Sequence, residues 1–193
     1  VLYYLKMEFK MKYIVVIDQG TTSSRAIIYN VRGEVVGKAQ QEFRQIYPQP
    51  GYVEHDPIDI LSSVRSVIST ALTEARVKNS ELIGMGITNQ RETVVMWDKL
   101  TGEPFYNAIV WQCRRTMERC IELKGYAEEI LKRTGLKLDS YFSASKIEWI
   151  LNNIPKAREL LQEKRLLVGT IDTYLMWQLS GGKIYKTDYT NAS

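Results

Sequence analysis

Residues Ile14 to Arg25 read I-V-V-I-D-Q-G-T-T-S-S-R. Four β-branched residues in succession suit a strand buried on both faces. The run stops at Asp18, and Gln19 and Gly20 follow. Then come four hydroxyl side chains, Thr21, Thr22, Ser23 and Ser24, and a cation, Arg25. A second β-rich run, Ala26-Ile27-Ile28-Tyr29, begins at once. The polar segment therefore reads as the tight turn of a hairpin, with Gly20 supplying backbone freedom. Backbone N–H groups and hydroxyls at such a turn can converge on phosphate oxygens. Arg25 adds charge-assisted donors. Asp18, at the mouth of a buried strand, is placed to hold Mg²⁺ through water. An ordinary solvated Ser/Thr turn has the same composition, so this stretch alone leaves both readings open.

Outward from it, Tyr13 to Asp18, Arg25 to Asn30 and Glu34 to Phe43 form a meander whose short links make it antiparallel. Asp56 caps a helix with Pro57 in its first turn. Ile60, Leu61, Val64, Val67, Ile68, Ala71, Leu72 and Ala75 recur along it at helical period, so it packs on a sheet. His55, the single histidine, reads as structural. Leu82 to Thr88 and Glu92 to Asp98 are strands. A helix runs from about Arg114 to Arg133, broken near Gly125 and ended by Gly135. Ser145 to Leu151 is a short helix, Pro155 opens another, and Leu166 to Val168 is a strand. Asp172 caps a helix over Thr173 to Leu179, and a final strand covers Ile184 to Thr187. The pattern is α/β with a mixed sheet.

The chain has 193 residues, 45% hydrophobic and 25% charged, an ordinary globular composition. Its net charge of +4 comes from interleaved charges, without the basic stripe that nucleic acid requires. No apolar run approaches the ~20 residues of a membrane span. Val1 to Leu5 is too short for a signal-peptide core, so a cytoplasmic protein is expected. Residues 1–12 read as an N-terminal extension, with Met7 or Met11 as the start. On one helix, Cys113 and Cys120 would stand ~10 Å apart. A disulfide needs Cα atoms within ~7 Å, so both are expected reduced. Asn191-Ala192-Ser193 matches a glycosylation sequon, by chance where no secretory signal precedes it.

Two phosphate-binding patterns fail. Gly33 to Ala39 is one residue short of a P-loop and lacks its hydroxyl. Gly84-Met85-Gly86 has no third glycine for a dinucleotide fingerprint. More informative is Ile87-Thr88-Asn89-Gln90-Arg91-Glu92-Thr93. Arg91 offers donors and Glu92 acceptors, so adjacent opposite charges at a strand end can bracket a small polyol. A salt-bridged surface turn has the same residues. Trp111, within Asn107 to Arg115, fits either a core position or a ligand's apolar face. Tyr141, within Tyr141-Phe142-Ser143-Ala144-Ser145-Lys146-Ile147-Glu148-Trp149, fits a buried aromatic with a satisfied hydroxyl.

Taken together and in order, these segments resemble the FGGY carbohydrate kinases, and within them the glycerol-phosphorylating members. The resemblance runs from Tyr13 to Ser193 and includes Pro50 to Pro57 and Thr187 to Ser193. It implies a ribonuclease H-like lobe of the actin-like ATPase type, and transfer of the γ-phosphoryl group of ATP to glycerol, giving sn-glycerol 3-phosphate. It implies that Thr21, Thr22, Ser23 and Arg25 meet the nucleotide phosphates, that Asp18 lies near Mg²⁺, and that Arg91, Glu92, Trp111 and Tyr141 hold glycerol. The partners so implied are glycerol and ATP/ADP, with no nucleic acid and no membrane span, and a homo-oligomeric whole enzyme. Ser140 stands where proline is usual, Ala144-Ser145 replace Gly-Thr, and Tyr52 replaces tryptophan. Family members are much longer. Their Gly-Asp-Gln segment, with the catalytic carboxylate, and their adenosine lobe are expected after Ser193, so the lobe is expected to be incomplete and residues 13–193 alone inactive. A non-catalytic sugar- or ATP-sensing member is the alternative, against which Arg91, Glu92 and Trp111 speak.

Overall fold

A computed structural model describes residues 12–192; the extension expected over residues 1–12 lies, except for Lys12, outside the described residues. β1 (Tyr13–Gln19), β2 (Ser23–Asn30) and β3 (Val35–Glu42) form the expected antiparallel meander. After the loop comes β4 (Glu54–His55), then α1 (Pro57–Ala75) and β5 (Leu82–Asn89). β5 returns parallel to β1, so the first sheet is mixed, in the order β3-β2-β1-β5. A parallel neighbour needs a crossover element, and α1 supplies it. The Asp56 carboxylate accepts the Ile58 N–H at 2.8 Å, which caps the helix start as read from the sequence.

Alternation decides which residues meet α1. Val15, Ala26 and Ile28 point inward with Val67, Ala71 and Leu72. Gly37 marks the closest approach: a Cβ there would stand 2.5 Å from the Ala71 carbonyl oxygen and 2.7 Å from the Ala75 Cβ. Only glycine lets β3 lie this near the helix.

The rest of the chain builds a second sheet, from β6 (Val94–Asp98), β7 (Ala108–Ile109) and β8 (Leu166–Thr170) with β4, in the order β4-β7-β6-β8. All five residues of β6 are buried. Val95 and Trp97 join Ile17, Ile60 and Val64 in one core, while Val94 and Met96 join Ile109, Ile150 and Ala157 in another. The two-residue strands β4 and β7 are too short for any periodicity to reveal.

The later elements depart from expectation in detail. The helix expected over 114–133 starts only at Met117; as read, it is broken around Gly125, into α2 (Met117–Glu122), a 3-10 turn (Leu123–Tyr126) and α3 (Ala127–Thr134), and closed by Gly135 at φ 73°. Cys113 therefore precedes the helix that carries Cys120, and the spacing argument fails in detail. Both thiols are nevertheless free and buried. α4 (Ser143–Asn153) and α5 (Pro155–Gln162) follow. The last helix, α6 (Ile171–Leu179), takes Thr170 rather than Asp172 as its cap residue; Asp172 sits in the first turn and accepts the Thr187 hydroxyl at 2.7 Å. Finally, Ile184 to Thr187 is not a strand. Its anchor is a side chain: the Tyr185 hydroxyl donates to the Val168 carbonyl at 2.6 Å. Among the described residues, no helix is long and apolar enough to cross a membrane.

One buried polar cluster braces the second sheet, and another ties the two sheets together. Arg115 and Glu54 form an ion pair of 2.6 Å with side chains 0% and 3% exposed. The guanidinium lies between the Tyr52 and Trp149 rings, 4.1 and 4.6 Å from their centroids, and Glu54 also accepts from Tyr106 and Asn107. In the second cluster, His55 Nε2 meets Gln45 Oε1 at 2.7 Å, and its Nδ1 meets Gln90 Nε2 at 3.3 Å. Gln90 reaches Gln19 Oε1 and the Gly20 carbonyl, and Gln45 reaches the Thr21 carbonyl. His55 is structural, as expected, and these bonds are what it does.

Removing one member of a buried ion pair strands the other. Arg115→Met is expected to lower stability by about 3–5 kcal/mol, and Arg115→Met with Glu54→Gln to recover most of that loss; denaturant midpoints measure both. Burial lowers the His55 pKa from 6.5 to about 4. Between those values the unfolded chain takes up a proton that the native state refuses, so stability is lost as the pH falls from 6.5 towards 4. The difference is on the order of 3 kcal/mol, and His55→Gln is expected to flatten that part of the stability–pH curve.

Candidate functional site

β1 and β5 are parallel neighbours in register, Asp18 beside Thr88 and Gln19 beside Asn89. Both strands therefore end at the same rim of the sheet. The crevice beyond the carboxyl ends of parallel strands is where α/β proteins place ligands. Two polar segments leave the sheet there: residues 20–22 towards β2, and residues 90–93 towards β6 in the second sheet.

The first segment is the hairpin turn. Asp18 is half-buried and faces Arg25 across the ladder. Arg25 is exposed, and its Nε and Nη2 donate to Gln40 Oε1 at 3.2 and 2.9 Å. Gln40 Nε2 donates in turn to Ser23 Oγ at 3.0 Å, so one amide on β3 presets two of the expected phosphate ligands. Thr22 is exposed, and its carbonyl accepts the Phe43 N–H at 3.3 Å. Ser24 points the other way, into the core, against Ser63 on α1 at 2.8 Å. Alternation along β2 thus separates Ser23 and Arg25 from Ser24. Gly20 does not adopt a left-handed backbone. Its N–H donates to the Ser23 carbonyl at 2.9 Å, and a Cβ would meet that oxygen at 3.3 Å. Space, not conformational freedom, is what glycine supplies here.

The second segment joins the two sheets. Arg91 is exposed, whereas Glu92 is 7% exposed and has φ 60°. A left-handed backbone costs a residue with a Cβ roughly 1–2 kcal/mol. Its Oε2 is buried without a hydrogen-bond partner. Such an atom costs about 1–3 kcal/mol, and in a native structure it asks for an explanation.

Trp111 and Tyr141 close the site from two further elements. Trp111 follows β7, and its N–H donates to Thr93 Oγ1 at 3.3 Å. Its indole Nε1 donates to Thr21 Oγ1 at 3.0 Å, joining the hairpin turn to the second segment. The Thr21 hydroxyl keeps its own proton to donate. Tyr141 stands just before α4, its ring centroid 5.6 Å from that of Trp111. Burial, and then the Glu92 carboxylate, push its hydroxyl pKa above the usual range, with Arg91 opposing. All nine residues singled out from the sequence thus lie along one rim, in two groups joined by the Thr21–Trp111 bond.

Sequence reading missed the residues that hold these groups in place. Gln40, Gln45 and Gln90 orient the turn and carry no signal of their own. Lys146 is fully buried on α4, and its Nζ donates to the Glu92 carbonyl at 3.1 Å and to the Tyr141 carbonyl. It stands within a segment already singled out for its tyrosine.

Comparison with known proteins bears on the family and the fold. Residues 13–193 match the N-terminal domain of the FGGY family of carbohydrate kinases. Glycerol kinase 2 of Thermotoga maritima is 56% identical over 185 residues, 95% of this chain and 37% of that protein. A glycerol kinase of Bacillus cereus is 58% identical over 184 residues, again covering 37% of its length. The chain thus spans little more than a third of the curated relatives it matches. Among solved structures, Plasmodium falciparum glycerol kinase with ADP superposes with a TM-score of 0.86 at 34% identity, over 94% of this chain and 37% of that one. A gluconate kinase from Lactobacillus acidophilus, 23% identical and with a TM-score of 0.80 over 94% of this chain and 35% of that one, shares the fold. With this lobe and a family match running from the first strand to the last residue, the chain belongs to the FGGY family of carbohydrate kinases.

Proposed function

We propose that this chain is the N-terminal part of an ATP-dependent glycerol kinase, which transfers the γ-phosphoryl group of ATP to glycerol to give sn-glycerol 3-phosphate. The observation that carries the reading is the buried Oε2 of Glu92, which has no hydrogen-bond partner although the same carboxylate acts on the Tyr141 hydroxyl, whose ring in turn stands against that of Trp111. A polyol hydroxyl is the partner it lacks. Glu92 accepts hydrogen bonds from adjacent hydroxyls, Arg91 donates to them, and the Trp111 and Tyr141 rings flank the carbon chain. Sites built on hydrogen bonds discriminate strongly, because a wrong ligand leaves buried polar atoms unpaired.

On the nucleotide side, Thr21, Thr22 and Ser23 offer hydroxyl and backbone donors, and Arg25 offers charge. Asp18 is a single carboxylate beside them. Magnesium binds through one or two carboxylates, phosphate oxygens and water, so a lone Asp18 at a phosphate turn fits it. When bound, the ion neutralises phosphate charge. The chain's own residues position the donor and acceptor, which is most of what phosphoryl transfer needs.

A crossed experiment on the full-length enzyme tests the assignment. Glu92→Gln keeps the shape but replaces acceptors with donors. It is expected to raise the KM for glycerol at least roughly tenfold, with the KM for ATP nearly unchanged. Arg25→Ala is expected to do the reverse. If Glu92→Gln alters only the ATP parameters, the polyol site is misplaced. The reaction also needs a base for the acceptor hydroxyl, which family resemblance puts in a Gly-Asp-Gln segment. The 193 residues contain no such segment. A polypeptide of these residues alone is expected to release no ADP from ATP in the presence of glycerol. Release that Asp18→Asn abolishes would show that the base lies within it.

A further inference from the structure

We propose that Lys146 is a positioning residue of the polyol site, its ammonium setting Glu92 and Tyr141 against each other by gripping both of their main-chain carbonyls. The inference rests on the reading of Glu92 as the polyol carboxylate. A buried ammonium is costly unless it is paired and hydrogen-bonded. Lysines usually meet that cost by reaching water or a carboxylate. Lys146 does neither: it is 0% exposed, and among the described residues no carboxylate oxygen lies within ion-pair distance of it. Its nitrogen instead donates to the Glu92 carbonyl at 3.1 Å and to the Tyr141 carbonyl.

Those two carbonyls belong to segments far apart in the chain, the link between the two sheets and the entry to α4. Nothing in local backbone preference would bring them together, and Glu92 is held in a left-handed conformation that its Cβ resists. Strain of this kind persists only where the surroundings over-determine it, and it clusters at ligand sites. One ammonium has three donors in tetrahedral array, so it can serve both carbonyls from a single point. Held this way, the Glu92 side chain leaves Oε2 unpaired while its carboxylate acts on the Tyr141 hydroxyl. The titratable groups facing the ammonium are the thiols of Cys113 and Cys120 and the carboxylates of Glu92 and Asp139. Burial lowers its pKa from 10.5 to about 8, against the pull of those groups, which agrees with a cation held for position despite the penalty.

The test uses the full-length kinase that carries these residues, with steady-state KM and kcat for glycerol and for ATP. Lys146→Met keeps the length and removes the donors. It is expected to raise the glycerol KM tenfold or more while leaving the ATP KM within twofold. Combined with Glu92→Gln, it is expected to add clearly less than its own single effect, because the carboxylate it positions has already been disabled. A lysine that only stabilised the fold would move glycerol and ATP parameters together, and its effect would multiply with that of Glu92→Gln. Either result overturns the proposal, as does a glycerol KM for Lys146→Met within twofold of wild type while Glu92→Gln raises it. If Glu92→Gln itself leaves the glycerol KM unchanged, the polyol reading fails and this inference falls with it. Should Lys146→Met not fold, Lys146→Arg serves. A planar guanidinium cannot set one nitrogen on both carbonyls, so the same selective rise in glycerol KM is expected. A wild-type value, or failure of both variants to fold, counts against the proposal.

Discussion

The candidate site depends on one pairing, that of β1 with β5. Because the two strands run parallel and in register to Gln19 and Asn89, the chain must leave both at the same rim. An antiparallel partner would have sent the Gln90–Thr93 segment to the opposite end of the sheet, away from the hairpin turn. The crossover through α1 makes the parallel arrangement possible. The helix is committed to that position by its apolar stripe, by its Asp56 cap and by Gly37, which lets β3 lie against it. The contact between a core strand and a glycine-thin neighbour thus reaches, by a short chain of causes, to where Glu92 and Thr21 stand.

Bringing two polar segments together inside a fold creates groups that must be satisfied. Gln90 is the clearest answer. From the end of β5, its amide contacts Gln19, the Gly20 carbonyl, His55 and Thr93. His55 passes the connection to Gln45, and Gln45 to the Thr21 carbonyl. Neutral amides and a histidine kept neutral by burial do this without adding charge beside the turn proposed to receive phosphate. A buried network of this kind is costly if broken at any point, which is a reason to expect the turn to be stiff rather than induced by its ligand.

How much of this was legible in the sequence follows the length scale of each interaction. β1, β2, β3, α1 and β6 are carried by long apolar patterns and local caps, and they stand where those patterns put them. Asp18, Thr21, Thr22, Ser23, Arg25, Arg91 and Glu92 stand out because polar segments such as D-Q-G-T-T-S-S-R interrupt those patterns at strand ends, whereas Trp111 and Tyr141 were pointed to a ligand only by the family resemblance. What was not legible is what two-residue strands and single long-range bonds decide. β4 and β7 have no period. Asp172 looked like a cap, but its carboxylate is engaged by Thr170 and Thr187. Ile184 to Thr187 has the composition of a strand, yet it is fastened through the Tyr185 hydroxyl instead of a ladder. Lys146 has no role until the fold brings two distant carbonyls to it.

Glu92 shows why the last of these matters. Its left-handed backbone and unpartnered Oε2 together cost the empty protein roughly 2–5 kcal/mol, a large part of the 5–15 kcal/mol that ordinarily separates folded from unfolded. Neither cost would survive in a residue whose only task was packing, since a glycine there would remove both. The same two features are assets to a residue waiting for a hydroxyl. The strained backbone aims the carboxylate, and the missing partner leaves an acceptor whose desolvation has already been met by folding. A ligand donating to that oxygen recovers what the empty site gave up, whereas one that cannot donate leaves it unpaired. On the proposed reading, selectivity for a hydroxylated acceptor rests on an instability that the buried ammonium and the surrounding amides hold in place.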